Sequence, residues 1–271
     1  MAHRGASRDA PENTLASFTL AWEQQADAIE GDFYLTRDRR IVCIHDATTE
    51  RVSSVNLPVA QCTLDDLRQL DVGSWKAAGF AGAKIPTLPE VLDCVPKSKQ
   101  VFIEIKCGPE IIPTLQTDLQ ASSLQPDQTA IISFNAEVIE AAKRAMPERP
   151  AYWLVKFDKD ESTGRWLPTC DKVIHTASRI GADGVDLAGD VEAVDQAFVS
   201  RCGQAGLSVH VWTIDDVRRA EQFQRLGVDS ITTNRPRELR KALSKPSPLP
   251  APVPTLHPVA QPTNSSGATP R

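Results

Sequence analysis

Ile180-Gly181-Ala182-Asp183-Gly184, Ala205-Gly206-Leu207 and Leu226-Gly227-Val228-Asp229 carry one local pattern three times over. Each follows a helix-like segment (Thr169–Ile180, Val194–Ala205, Asp215–Leu226) and leads into a short apolar run (Gly184–Leu187, Leu207–Trp212, Asp229–Thr232). The glycine stands where a helix C-cap turns left-handed, a conformation that costs glycine nothing. Outward from these turns, the same alternation runs through residues 1–243. Further helices are expected at Glu12–Gln25, Pro89–Cys94, Pro109–Ala121, Ala136–Ala145 and Pro236–Leu243. Further strands are expected at Ala28–Leu35, Ile41–Ile44, Val101–Ile105, Thr129–Phe134 and Ala151–Val155. Asn13 or Thr14 can cap the first helix, and Asp215 opens the seventh, where the helix dipole favours an acid. Such alternation means parallel strands joined by crossover helices, and the expected fold is α/β, a closed (β/α)8 TIM-type barrel. A doubly wound open sheet is the structural alternative. No Gly-x-Gly-x-x-Gly follows a strand, which removes its main nucleotide signature.

Two regions fall outside this alternation. Arg51–Pro86 holds a short helical stretch, Cys62–Leu67, and then a loop through Gly73, Gly79 and Gly82. It reads as a small insertion over the active face of the barrel. Residues 244–271 hold eight of the 20 prolines, several at alternate positions, so neither helix nor central strand can form. This is a disordered or polyproline-II tail. A module that recognises polyproline II is one partner open to it, a plain solvated tail the other reading.

The 271 residues carry a net charge of −5, so no basic field draws the chain to nucleic acid or an anionic membrane. No apolar run is long enough to span a bilayer, and Met1-Ala2-His3-Arg4-Gly5 opens no secretory h-region. The six cysteines are scattered without metal-ligand spacing and read as reduced thiols. The expectation is a soluble cytoplasmic protein without stable membrane insertion.

Polar groups inside apolar strands are the informative ones. Glu30 and Asp32 sit two apart in Ala28-Ile29-Glu30-Gly31-Asp32-Phe33-Tyr34-Leu35, so period two puts both on one face. Glu104 and Lys106 repeat the spacing in Val101-Phe102-Ile103-Glu104-Ile105-Lys106 and share their face with Phe102. Buried carboxylates need a cation or cationic partners. The bland alternative is a Glu104–Lys106 ion pair beside two solvated acids. His3, next to Arg4, and His45, next to Asp46, fall where strands end, the rim at which barrel enzymes build their sites. Together the set suits phosphodiester hydrolysis: a hard divalent cation on oxygen ligands, two imidazoles for proton transfer, and Arg with Lys for phosphate charge.

In order, His3-Arg4-Gly5-Ala6, Pro11-Glu12-Asn13-Thr14, Glu30-x-Asp32, Leu35-Thr36-x-Asp38, His45-Asp46, Ile85–Leu92, Ile103–Lys106, Ser133-Phe134 and Val211-Trp212-Thr213 resemble the glycerophosphodiester phosphodiesterase family in its bacterial form. The resemblance covers residues 1–243. It implies a (β/α)8 barrel variant with a small insertion after the second histidine, and His3 and His45 as the acid–base pair. It also implies one Mg²⁺ or Ca²⁺ on Glu30, Asp32 and Glu104, and Arg4 and Lys106 on the phosphate. The implied substrates are glycerophosphodiesters, cleaved to sn-glycerol 3-phosphate and an alcohol. Rival readings are lysophospholipase D-like cleavage on the same barrel and a non-catalytic phosphoester-binding scaffold.

Other residues have two readings. Trp212 and Phe134 fit an apolar substrate wall for glycerol as well as core positions. Glu12 could support the metal shell, whereas Asn13 and Thr14 read as helix-start chemistry. His210 shares a face with Trp212, opposite Val209 and Val211, and its orientation stays open. His175 and His257 are expected to be inert. Two departures from the family pattern stand out. Only Met1 and Ala2 precede His3, so the first barrel strand is a stub or the chain starts upstream. Asn234 occupies a position where aspartate is common, and is expected to bear on helix capping.

Overall fold

The computed structural model describes residues 1–244; the rest of the proline-rich tail, with its proposed partner and His257, lies outside them. In chain order the elements are α1 (Leu15–Glu23), β1 (Ala28–Leu35), β2 (Ile41–Cys43), α2 (Leu64–Arg68), α3 (Leu88–Asp93), β3 (Gln100–Ile105), α4 (Ile112–Ala121), β4 (Thr129–Ser133), α5 (Ala136–Ala145), β5 (Ala151–Val155), β6 (Asp158–Lys159), β7 (Trp166–Leu167), α6 (Cys170–Arg179), β8 (Gly184–Ala188), α7 (Gln196–Gln204), β9 (Ser208–Trp212), α8 (Val217–Leu226), β10 (Ser230–Ile231) and α9 (Pro236–Leu243).

One sheet runs in the order β10-β9-β8-β5-β4-β3-β1-β2, parallel except for β2. Ala2 closes it into a ring by bridging in parallel to Ile29 on one side and to Thr233 on the other. Ala2 N–H donates to the Ala28 carbonyl at 2.8 Å, and His3 N–H to the Thr233 carbonyl at 2.9 Å. Closure of the ring thus runs through the bridges of Ala2. Ile41–Ile44 departs from the sequence expectation: β2 pairs antiparallel with β1 at the edge and is not a barrel strand. It is too close to β1 in sequence for a crossover, so the chain can only return as a hairpin.

Period two sorts the strand residues into two layers. Val101, Ile103, Ile131, Val185, Leu187, Val209 and Val211 pack outward into the main core with the helices. Ala28, Phe102, Ala130, Ile132 and Leu154 fill the barrel interior, with Tyr152 and Trp212 against them. Val209 and Val211 thus face the helices. His210 lies inside the barrel, its ring 4.3 Å from that of Tyr152, and burial pushes its pKa down to about 4. His175 sits exposed on α6.

The turn glycines Gly181, Gly206 and Gly227 have φ of 68°, 77° and 79°, the left-handed geometry expected of them. Thr14 is the N-cap of α1, in a reciprocal capping box with Ser17. At α8 the cap is Asp216, which accepts from Arg219 N–H, in place of the expected Asp215. Asp215 is instead drawn to Thr233 and Asn234 across the barrel seam. Residues 51–86 have a small core of their own, with Val52, Val59, Leu67, Leu70, Val72 and Ile85 packed against Val42 and Ile44.

Candidate active site

Glu30, Asp32 and Glu104 are buried inside the C-terminal end of the barrel, Asp32 in register with Glu104 on the neighbouring strand. One oxygen from each lies within 4.8 Å of the others. The backbone brings Arg4 to the same place. Arg4 has φ 55°, its N–H donates to Glu30 Oε2 at 2.8 Å, and its Nε lies 3.2 Å from Asp32 Oδ2. Gly5 follows at φ 78°, and a Cβ there would meet Ser17 Oγ at 2.4 Å, so only glycine lets α1 pack this closely. Lys106 Nζ completes the ring, 2.7 Å from Glu104 Oε1 and 3.2 Å from Asp32 Oδ1. The ion pair and the acid cluster, set apart as alternatives in the sequence, are one arrangement.

Burial, then repulsion from Asp32 and Glu104, pushes the Glu30 carboxyl well above its ordinary range. Burial and Asp32 push Glu104 up to about 7. Burial would raise Asp32 as well, but Arg4, Lys106 and His45 outweigh it and hold its pKa low. Glu30 Oε1 has no hydrogen-bond partner among the described residues. Three buried carboxyls, two of them held protonated to unusually high pH, stand against two cationic side chains, and all the donors are hard oxygens. The residues fit a divalent cation of the Mg²⁺ or Ca²⁺ class.

His3 and His45 both line a cavity of about 210 Å³ above this cluster. His45 Nδ1 lies 2.6 Å from Asp46 Oδ1. His3 Nδ1 lies 2.8 Å from Asn234 Oδ1. Asn234 Nδ2 donates to Asp215 Oδ2 at 2.7 Å, which fixes the carboxamide with its oxygen toward His3. Asn234 therefore bears on His3 rather than on helix capping, since α9 has no side-chain cap. Burial followed by the Arg4 charge lowers the His3 pKa; burial lowers that of His45 against the opposing Asp32.

Glu12 reaches the acid cluster through Arg4. It pairs with Arg4 at 2.9 Å and with Arg51 at 2.8 Å, and Arg51 Nε reaches Asp46 Oδ2 at 2.6 Å. Asn13, read as helix-start chemistry, donates instead from Nδ2 to Asp32 Oδ2 at 2.8 Å. Phe134 is 40% exposed and stands edge-to-face with Trp212, ring centroids 5.5 Å apart, as one wall of the cavity. Arg51, Lys156 and Asp186 were not singled out from sequence. Asp186, a buried carboxyl lining the same cavity, had a visible signal in the apolar run Gly184–Leu187. Lys156 had one as well, directly after the apolar run Ala151–Val155 as Lys106 follows Val101–Ile105; Arg51, in the polar stretch Thr48-Thr49-Glu50-Arg51, had none. A larger cavity, of about 550 Å³, opens at the other end of the barrel beside Tyr152, His210 and Ser230, and holds none of the acid cluster.

No helix among the described residues is long and apolar enough to cross a membrane. Residues 3–238 match the sequence pattern of the Glycerophosphoryl diester phosphodiesterase family. A glycerophosphodiester phosphodiesterase of Caldanaerobacter subterraneus subsp. tengcongensis is 32% identical over 249 residues, covering 90% of this chain and 97% of that one. A human lysophospholipase D is 23% identical over 269 residues, covering 90% and 85% of the two chains. Among solved structures, an Oleispira antarctica phosphodiesterase in complex with the product sn-glycerol-3-phosphate superimposes with TM-score 0.79 at 27% identity, covering 90% of this chain and 96% of that one. By its barrel, its acid cluster and these matches along nearly its whole described length, the chain belongs, as an enzyme, to the glycerophosphoryl diester phosphodiesterase family.

Proposed function

We propose that this chain hydrolyses glycerophosphodiesters to sn-glycerol 3-phosphate and an alcohol, with Mg²⁺ or Ca²⁺ on Glu30, Asp32 and Glu104 and with His3 and His45 as the proton-transfer pair. The observation that carries the reading is convergence: three buried acids, Arg4, Lys106 and two oriented imidazoles meet at one cavity. When bound, the cation supplies charge neutralisation and orientation for the phosphate. Arg4 and Lys106 hold phosphate oxygens. His3 donates from Nδ1 to the neutral Asn234 amide, which leaves the Nε2 lone pair to take a proton either from water or from the glycerol 2-hydroxyl, the latter giving a 1,2-cyclic phosphate that water then opens to the monoester. His45 has the Asp46 carboxylate behind Nδ1, a partner that supports the imidazolium needed to protonate the leaving alcohol. Residues 51–86 cover the active face as an insertion on a single 1–243 barrel. The six free cysteines suit a reducing, cytoplasmic setting.

The test is release of glycerol 3-phosphate from glycerophosphocholine and glycerophosphoethanolamine, with and without EDTA and with Mg²⁺ or Ca²⁺ restored. EDTA-sensitive release supports both the reaction and the cation. Release indifferent to EDTA overturns the cation, and no release overturns the reaction. The human relative favours one second reading, hydrolysis of lysophospholipids, which lysophosphatidylcholine in the same assay decides.

A further inference from the structure

Two of the three cationic side chains at the cavity are answered by acids: Arg4 by Asp32 and Glu12, Lys106 by Asp32 and Glu104. Lys156 is placed differently. It follows β5 at the barrel rim, is exposed, and lines the same cavity. Its Nζ lies 5.2 Å from the centre of the Phe134 ring and 5.8 Å from that of Trp212. Those rings meet edge-to-face, so the ammonium sits against both members of the aromatic wall at once.

A bare pair of aromatic rings at the mouth of a phosphodiester site would attract a quaternary ammonium, which binds ring faces by the same electrostatics as lysine. Here the protein's own cation already holds that place. A choline nitrogen approaching the wall meets a like charge and must displace an existing cation–π contact. A polyol meets three N–H donors beside apolar ring surface, which suits its alternating C–H and O–H groups.

We propose that Lys156 sets the head-group selectivity of this cavity, favouring diesters whose alcohol is an uncharged polyol over those whose alcohol carries a quaternary ammonium. The inference rests on the hydrolytic reading above and places the alcohol moiety of the diester against Phe134 and Trp212. Lys156 acts by recognition, and proton transfer stays with the histidines.

The experiment compares kcat/KM for glycerophosphoinositol and glycerophosphocholine in the parent protein, Lys156→Met and Lys156→Arg. The parent should prefer the inositol diester. Lys156→Met should move the ratio toward choline by about ten-fold, and Lys156→Arg should keep the parent ratio. An unchanged ratio in Lys156→Met overturns the proposal. So does an equal loss on both substrates, which would put Lys156 on the phosphate or the glycerol against the wall. Calorimetric titration of both diesters into the parent and Lys156→Met proteins reads the same selection without turnover. Absent hydrolysis with a shifted ratio of Kd values sinks the reaction and supports the selectivity; hydrolysis with unshifted ratios in both readouts sinks the selectivity alone.

Discussion

Nδ1 of His3 and Oδ1 of Asn234 lie 2.8 Å apart, although 231 residues separate them in the chain. Because an amide oxygen only accepts, His3 donates from Nδ1 and is held in one tautomer. Asp215 behind Asn234, and Ser7 Oγ donating to the same Oδ1 at 2.9 Å, keep the amide from turning over.

Asn234→Ala should therefore lower kcat by about 10- to 100-fold, the usual effect of losing a group that orients a reactive imidazole. The hydrogen bond to Asn234 raises the His3 pKa, so its loss lowers that pKa further. A proton-accepting His3 stays unprotonated to lower pH, and the acid limb of the pH–rate profile should move downward as the plateau falls. A full pH–kcat/KM profile of the variant checks both signs; an unmoved acid limb would remove His3 from the base role.

His45→Ala should reduce kcat by about 10²–10⁴, the range of a lost proton transfer. Its side chain is 30% exposed and anchors no core, so the thermal unfolding midpoint should stay within a degree or two of the parent. Parallel steady-state kinetics and calorimetry separate the two effects.

Cation removal should destabilise the protein in a pH-dependent way. Glu104 stands at about 7 against its usual 4.5, and Glu30 is raised in the same direction. Groups raised on folding contribute their full stability below pH 4.5 and lose it as pH rises through 7. EDTA-treated protein should melt progressively earlier between pH 5 and 8, and Mg²⁺ or Ca²⁺ should raise the melting temperature more at pH 8 than at pH 5. Glu104→Gln should flatten that slope in the cation-free protein.

The turn entering α3 gives the opposite sign. Thr87 and Glu90 form a reciprocal capping box, and Arg68 pairs with Glu90. Burial would raise the Glu90 pKa, but Arg68 and Thr87 bring it down to about 2 from the usual 4.5. Stability from Glu90 is present above pH 4.5 and lost as pH falls toward 2. Urea titrations should show Glu90→Gln less stable than the parent at pH 7, with the difference shrinking toward pH 3. Thr87→Ala should cost about 1 kcal/mol, the usual loss for an N-cap.

Arg51 links Glu12 to Asp46 and so reaches the partner of His45. Arg51→Met should cut kcat several-fold while leaving KM nearly unchanged, because Arg51 pairs with Asp46 and stands outside the lining of the cavity. A rise in KM with unchanged kcat would place Arg51 on the substrate instead.

The legible part of this protein was local. Alternating periods of 3.6 and 2, with Gly181, Gly206 and Gly227 at the turns, specified parallel strands joined by crossover helices, because each signal depends on neighbours a few residues away. Strand period alone put Glu30 with Asp32, and Glu104 with Lys106, on shared faces. Asp215 was misplaced at a helix start because Asp215 and Asp216 are equivalent caps until the seam with Thr233 and Asn234 draws one of them away. Likewise Ile41–Cys43 reads as any short apolar strand, and only its pairing with β1 shows that it runs the other way.

By itself, then, the sequence determined which segments become strands and helices, which strand residues share a face, and which acids, bases and imidazoles are available for chemistry. Tertiary structure alone decided who answers whom: Asn234 to His3, Lys106 to both Asp32 and Glu104, Asn13 to Asp32, Lys156 to the aromatic wall. Secondary structure follows from short-range sterics and periodicity, whereas these contacts exist only once the ring closes through Ala2 and brings the two ends of the fold together.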